Sequence, residues 1–309
     1  SNQMIYAEYN DFAALDRLIG LCDIITYEFE NIPAETIKYI ESKAPINPNS
    51  NSIYIAQNRL RERTFLKQNN FPTHRFWEIK NSSDIQNAFE EGKIDKAILK
   101  TSSFGYDGKG QIKISKDDNL AQIWQNSGYS HAIMEEFVDF DFEISVILAR
   151  TSKGEISVFP IGHNIHSEGI LKTCNIPADI SYKTSELALK TASEIAEKLD
   201  YIGVMGVEFF ALVNDDVYVN EIAPRVHNSG HWTMDGCITS QFEQHIRAIS
   251  GLPLGSTEMT SGKVVMENLI GFDIEKIDQY YNNPNAKIHH YGKTKIKKGR
   301  KLGHVNILE

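Results

Sequence analysis

The residues best suited to chemistry in this 309-residue chain lie in a few stretches. GVMGVEFFALVNDDVYVNEIAPR, residues 203–225, reads as a hairpin. If Asn214 and Asp215 form a two-residue turn, Val213 pairs with Asp216, and counting back sets Glu208 opposite Glu221. Two like charges across a ladder repel and call for a cation. Hard oxygen donors beside a phosphate suit magnesium. Asn220 adds an oxygen only if a bulge or strand end turns it to the same face. A three-residue turn would break the register, and a water-screened pair facing outward is the competing reading.

FGYDGKGQ, residues 104–111, is a glycine-rich loop directly after KAILKT. A P-loop needs Ser or Thr after its lysine and a helix beyond; here Gly110 follows Lys109, and the next residues alternate as a strand. A dinucleotide fingerprint needs its glycines between strand and helix, in a different order. What remains is a strand–loop–strand flap whose backbone N–H groups can approach an anion. Lys100, at the end of the preceding strand, points toward phosphate binding, and a plain Asp-Gly turn is the rival reading.

His227 and His231 have i, i+4 spacing, but Asn228-Ser229-Gly230 is poor helix material and no acid lies between them in zinc-site order. The segment reads as an irregular loop rich in donors. The tail YGKTKIKKGRKLGH reads either as a solvated basic face or as a monophosphate site, since arginine forks onto phosphate oxygens.

The elements that must position these groups follow from periodicity and punctuation. Residues 4–33 read as strand, helix and strand, the last over 24–29, with a short helix after it. Residues 50–70 read as one helix capped by Ser50 and stopped by Pro72. Alternating strands and helices follow, with FEISVILART and EISVFPIG as a hairpin and TSELALKTASEIAEKLD as a long amphipathic helix. The pattern implies a mixed α/β and α+β chain. Net charge −9 lacks the footprint of a nucleic-acid binder. Three scattered cysteines suit a reducing cytoplasm, and no apolar run reaches the roughly 20 residues that span a bilayer.

Taken together, the motifs resemble the ATP-grasp superfamily and, within it, 5-(carboxyamino)imidazole ribonucleotide synthetase, the ATPase subunit of phosphoribosylaminoimidazole carboxylase. TYEFENIP, GYDGKGQ, EEFVDFDFEIS, HNIHSEGIL, YIGVMGVEFF, VNEIAPRVHNSGHWT, SQFEQHIRAI and KGRKLGH carry the likeness, over about residues 23–304. The resemblance implies an ATP-grasp fold: a truncated N-terminal α/β domain over 1–50, a nucleotide- and metal-binding ATP-grasp domain over 51–255 and a small strand-rich C-terminal domain over 256–309. It also implies ATP- and bicarbonate-dependent carboxylation of 5-aminoimidazole ribonucleotide on its exocyclic amine, through carboxyphosphate, in purine biosynthesis. ATP and Mg2+ would be bound, and the protein would be a cytoplasmic homodimer. Another ATP-grasp enzyme, such as formate-dependent glycinamide ribonucleotide transformylase, or a non-catalytic nucleotide-binding fragment, is the alternative.

By the same resemblance Arg59 and Lys100 would contact ATP phosphates. Gly105, Tyr106, Asp107, Gly108, Lys109, Gly110 and Gln111 would be the flap over them. Glu135, Glu136, Phe137 and Val138 would line the adenine, Glu143 the ribose, and His166 the nucleotide site. Glu208, Asn220 and Glu221 would hold magnesium. Glu28 or Glu30, Tyr106, Asp107, Arg225, His227, Asn228 and Ser229 would face the ribonucleotide, with Lys293 and Arg300 on its phosphate. Lys100, Asp107, Arg225 and His227 would be the catalytic group. The family's opening glycine-rich turn has no match here, which leaves part of the expected substrate site outside this sequence. Asn58 stands where the family commonly has aspartate.

Overall fold

The computed structural model describes residues 3–103 and 110–309. The chain opens with α1 (Phe12–Ile19), α2 (Ala34–Glu41) and α3 (Ser50–Ala56). Asp11 and Asn49 cap α1 and α3 by accepting first-turn N–H groups, which a helix cannot satisfy itself. Leu15, Ile25, Tyr27, Ile37, Ile40, Ile46 and Ile53 form the core of this part. The strand expected over 24–29 is reduced to one parallel bridge, Ile25 to Ile46, and residues 4–9 form no strand. Among the described residues neither run has the paired neighbours that a sheet needs.

Residues 50–70 are two helices rather than one. After α3 the chain is extended at Asn58 (φ −138°), and α4 (Arg59–Gln68) begins. Asn58 Oδ1 accepts from Arg61 N at 3.0 Å, while its amide donates to Ser103 Oγ at 2.9 Å. Asparagine competes for backbone groups in this way and favours caps over helix interiors. An aspartate could cap the helix but could not donate to Ser103.

A small antiparallel sheet follows, with β1 (Phe76–Ile79), β2 (Lys96–Thr101), β3 (Gln111–Ser115) and β4 (Ala132–Glu136) in the order β1-β4-β2-β3. α5 (Ser82–Gly92) and α6 (Leu120–Ser127) cover one face, packing on Ile79, Ala97, Leu99, Ile114, Ala132 and Met134. Strand alternation leaves Lys100 and Glu135 on the other face.

The second sheet has nine strands. It contains β5 (Phe142–Arg150), β6 (Ile156–Val158), β7 (Gly162–Ser167), β8 (Ile170–Ile176), β9 (Gly203–Ala211) and β10 (Val217–Ala223). α7 (Tyr182–Lys198) buries one face on Ile144, Val146, Leu148, Met205, Val207 and Phe209. The opposite face is covered at one end by α8 (Thr233–Gly236) and α9 (Gln241–Ile249). After β11 (Val264–Ile270) come α10 (Asp278–Tyr281), β12 (Ala286–His290) and β13 (Lys301–Leu308). β11 pairs with β8 and β13, and β13 with β12, so the C-terminal strands extend the same sheet.

Candidate functional site

Glu208 on β9 faces Glu221 on β10, but not through the expected turn. Leu212 N–H bonds to Asp216 O at 2.9 Å, giving a three-residue turn at 213–215 closed by Asp215 at φ 66°. That register sets Val219 opposite Phe209. A bulge between Val219 and Glu221 then absorbs one residue and brings Glu221 opposite Glu208. Two departures from the regular hairpin cancel.

Burial, then the Glu221 charge, push the Glu208 carboxyl up to about 7. Such a pair is relieved by a cation. Among the described residues no group of three or more His, Cys, Asp or Glu is arranged to hold a metal. Two carboxylates suffice for a hard cation that draws further ligands from phosphate, so this donor set fits one.

The same sheet face continues onto β5, where Ser145 lies opposite Glu208 and Glu143 opposite Phe210. His166 Nδ1 lies 3.0 Å from Glu143 Oε2. Burial alone would lower the proton affinity of His166, but Glu143 and Glu208 outweigh it and the net shift is upward. Asn164 Nδ2 reaches Glu208 Oε1 at 3.5 Å.

Lys100 pairs with the fully buried Glu135, whose carboxylate also meets Arg63 Nε at 2.9 Å and lies 3.2 Å from His74 Nε2. Burial would raise the Glu135 pKa, but Lys100 and Arg63 drive it well below the usual carboxylate range. Glu135 is therefore an ionised counter-charge beneath Lys100. Glu136 points to the other face of β4, where Arg75 grips it at 2.7 and 2.8 Å. Phe137 and Val138 follow at the strand end, with Phe137 exposed and Val138 half-buried.

Arg59 anchors the base of the glycine loop, its backbone N–H bonding Ser102 O at 2.9 Å and Nη1 bonding Thr101 O at 3.1 Å. Thr101 N–H closes onto Gly110 O at 2.9 Å, and Lys100 pairs with Gln111, so the loop does connect two paired strands. The expected flap residues Gly105, Tyr106, Asp107, Gly108 and Lys109 lie outside the described residues.

After β10, Arg225 donates through Nε and Nη2 to Glu30 Oε2 at 2.9 and 2.7 Å, tying the N-terminal helices to the sheet. Glu28 is exposed nearby in sequence. His227 Nδ1 accepts from Ser229 N at 3.4 Å and lies 2.8 Å from Ser229 Oγ. A backbone N–H can only donate, so the ring proton is assigned to Nε2, which sits 4.0 Å from Glu208 Oε1. Burial and Arg225 hold the His227 pKa well below its ordinary value, so the ring is neutral. Gly206 leaves room for it, because a Cβ there would meet His227 Cβ at 2.8 Å. The Asn228 amide is buried, and both its polar atoms lack partners among the described residues. An orphaned amide costs about 1–3 kcal/mol unless a ligand meets it.

Tyr291 ties the basic tail to this loop, its hydroxyl lying 2.8 Å from His304 Nδ1 and 3.2 Å from His231 Nδ1. Lys293 Nζ donates to Lys301 O at 2.9 Å and Arg300 Nη1 to Lys295 O at 3.1 Å, both folded back on their own loop. Sequence reasoning missed Glu62, Arg63 and His74. All three are buried, and the only signal was a charge-rich helix directly before Pro72.

Arg63 links the small sheet that presents Lys100 to the larger sheet that presents the paired carboxylates, and the match to the ATP-grasp domain over this region makes the chain an ATP-grasp ligase. Models of three families match in chain order: the ribonucleotide synthetase preATP-grasp domain over residues 1–57, the ATP-grasp domain over 64–242 and the phosphoribosylaminoimidazole carboxylase C-terminal domain over 264–309. N5-carboxyaminoimidazole ribonucleotide synthase of Brucella melitensis biotype 1 is 42% identical over 311 residues, spanning 100% of this chain and 85% of that protein. A solved structure of the Staphylococcus aureus synthetase complexed with ADP superposes with a TM-score of 0.91 at 37% identity, covering 99% of this chain and 81% of that one. The Aspergillus clavatus enzyme, in complex with ADP and 5-aminoimidazole ribonucleotide, gives a TM-score of 0.90 at 28% identity, covering 97% and 81%. The chain belongs to the N5-carboxyaminoimidazole ribonucleotide synthase family.

Proposed function

We propose that this chain spends ATP to join bicarbonate to the exocyclic amine of 5-aminoimidazole ribonucleotide, releasing ADP and phosphate in purine biosynthesis. The observation that carries this reading is the facing pair Glu208 and Glu221 on the sheet opposed to Lys100, within a chain of this family. Bicarbonate is a poor electrophile and must be activated. Its oxygen attacks the γ-phosphorus, ADP leaves, and carboxyphosphate forms; this breaks down to carbon dioxide and phosphate, and the amine captures the carbon dioxide.

Arg59 and Lys100 hold ATP phosphate oxygens, and Lys100 offsets charge developing on the transferred group. Residues 135–138 line the adenine through backbone and side chain, and Glu143, oriented by His166, takes the ribose. Glu208, Glu221 and Asn220 would hold Mg2+, which would supply neutralisation of phosphate charge. Arg225, Asn228 and Ser229 face the ribonucleotide, with Glu30 or Glu28, and Lys293 and Arg300 turn from their loop carbonyls to its phosphate. His227 carries its proton on the nitrogen turned toward Glu208, so it orients by donating. That leaves Asp107 to accept the amine proton. The loop at 104–111 excludes water from the short-lived intermediate. The division at about residues 50 and 255, and assembly as a cytoplasmic homodimer, complete the reading. Among the described residues no helix is long and apolar enough to cross a membrane.

The test is ADP release with each donor and acceptor in turn. Turnover should require bicarbonate and 5-aminoimidazole ribonucleotide. Turnover with formate and glycinamide ribonucleotide instead would move the chain to another ATP-grasp activity.

A further inference from the structure

Among the described residues β10 is an edge strand: it pairs with β9 on one side and with no strand on the other. Its outward backbone groups would ordinarily meet water. Here α4 and the residues after it cover that edge, and Ile222 is 2% exposed. Buried N–H and C=O groups need partners. Val219 N–H finds Pro72 O at 2.9 Å. Beyond the bulge the outward parity switches, and two adjacent charged residues of α4 take over. Glu62 Oε1 accepts from Ile222 N at 2.7 Å, and Arg63 Nη2 donates to Asn220 O. These backbone groups belong to the residues on either side of Glu221.

Arg63 also reaches the small sheet, and Glu62 is tied to it through Arg63. Arg63 Nη1 lies 3.3 Å from Glu62 Oε2, and Arg63 Nε bonds to Glu135, the counter-charge of Lys100. Glu62 and Arg63 are 3% and 1% exposed, so neither is a solvated helix charge that happens to fall nearby. Fully burying two charges costs several kcal/mol per ion before pairing, and apolar residues would fill the space without that cost. Their polar tips therefore serve the groups they touch.

We infer that Glu62 and Arg63 are positioning residues that clamp the Asn220–Glu221 bulge from α4 and fix it relative to Lys100. The clamp sets the direction of the metal-binding carboxylate without touching metal or substrate. The inference rests on the reading of Glu221 as a metal ligand.

The experiment measures ADP binding to the intact chain by calorimetry, once in EDTA and once in saturating Mg2+. The ratio of the two affinities reports the metal site independently of turnover. Glu62→Gln keeps an acceptor for Ile222 N and should keep the wild-type ratio. Glu62→Met removes the acceptor and should lower the ratio roughly 10- to 100-fold, as loss of outer-shell support does at metal sites. Affinity in EDTA should hardly change. Arg63→Lys keeps the charge but cannot reach Glu135 and Asn220 together, and it should also lower the ratio. It decides the matter should Glu62→Met not fold. Folded Glu62→Met and Arg63→Lys proteins with the wild-type ratio would overturn the clamp, provided Glu221→Gln loses the metal effect. If Glu221→Gln itself keeps the ratio, the metal reading has failed, and the inference falls with it.

Discussion

Glu221 stands directly opposite Glu208 on the β9–β10 ladder, and their mutual repulsion is built into the fold by a bulge at Asn220. The arrangement is costly when no cation is present, since burial and Glu221 already lift Glu208 to about 7. Removing Glu221 should therefore relieve the apoprotein while destroying the site. Glu221→Ala is expected to cut ATP turnover by roughly 10²–10³-fold, as for loss of a group that stabilises transition-state charge, with thermal stability kept. Near-wild-type ADP release with magnesium would contradict the assignment.

Lys100 and Arg63 share one buried counter-ion, Glu135. Glu135→Gln leaves both cations short of charge compensation. Breaking a buried pair in this way costs about 3–5 kcal/mol. A urea titration near neutral pH should show that loss, and a change below about 1 kcal/mol would mean the cluster is not coupled as described.

Gly206 lies against His227, where a new methyl group has no room. Gly206→Ala should displace the loop that carries His227, Asn228 and Ser229. Misplacing a substrate-orienting group by an ångström costs on the order of 10²-fold. kcat/KM for the ribonucleotide should fall by about that factor while the ADP dissociation constant stays put. Equal losses in both would place His227 at the nucleotide instead.

His231 and His304 form a buried imidazole cluster with their ring centroids 5.1 Å apart. Burial, ahead of the neighbouring cationic groups, holds them down to about 4 and about 3. The unfolded chain takes up these protons below about 6.5, whereas the folded chain does not until about 4. Unfolding thus binds protons across that window, and stability falls as pH drops from about 6.5 to about 4, by up to about 1.4 kcal/mol per pH unit and group. His304→Gln should flatten the slope of melting temperature against pH there. An unchanged slope would place the titrating groups elsewhere.

Much of this was legible in the sequence: β5 and β9, largely buried on both faces, read as apolar, β-rich runs bounded by turn residues. Glu208 opposite Glu221 was legible too, though by an arithmetic that holds only because the longer turn and the bulge offset each other. Asn58 shows where local reading stops: apolar spacing runs through it, but its side chain caps α4 and grips Ser103. Glu62 and Arg63 were out of reach for a different reason. Adjacent charges on a polar helix read as surface, and only the covered edge of β10 puts them inside. The run at 24–29 has strand-forming residues but, among the described residues, only the bridge from Ile25 to Ile46, a fact that resides in the rest of the fold.

The central claim is that bicarbonate attacks ATP. Turnover with bicarbonate labelled in its oxygens, followed by mass analysis of the released phosphate, tests this directly. One labelled oxygen should appear in each phosphate formed in the presence of 5-aminoimidazole ribonucleotide. Phosphate free of label, alongside normal ADP release, would mean that water or another nucleophile takes the phosphoryl group and that carboxyphosphate is not formed.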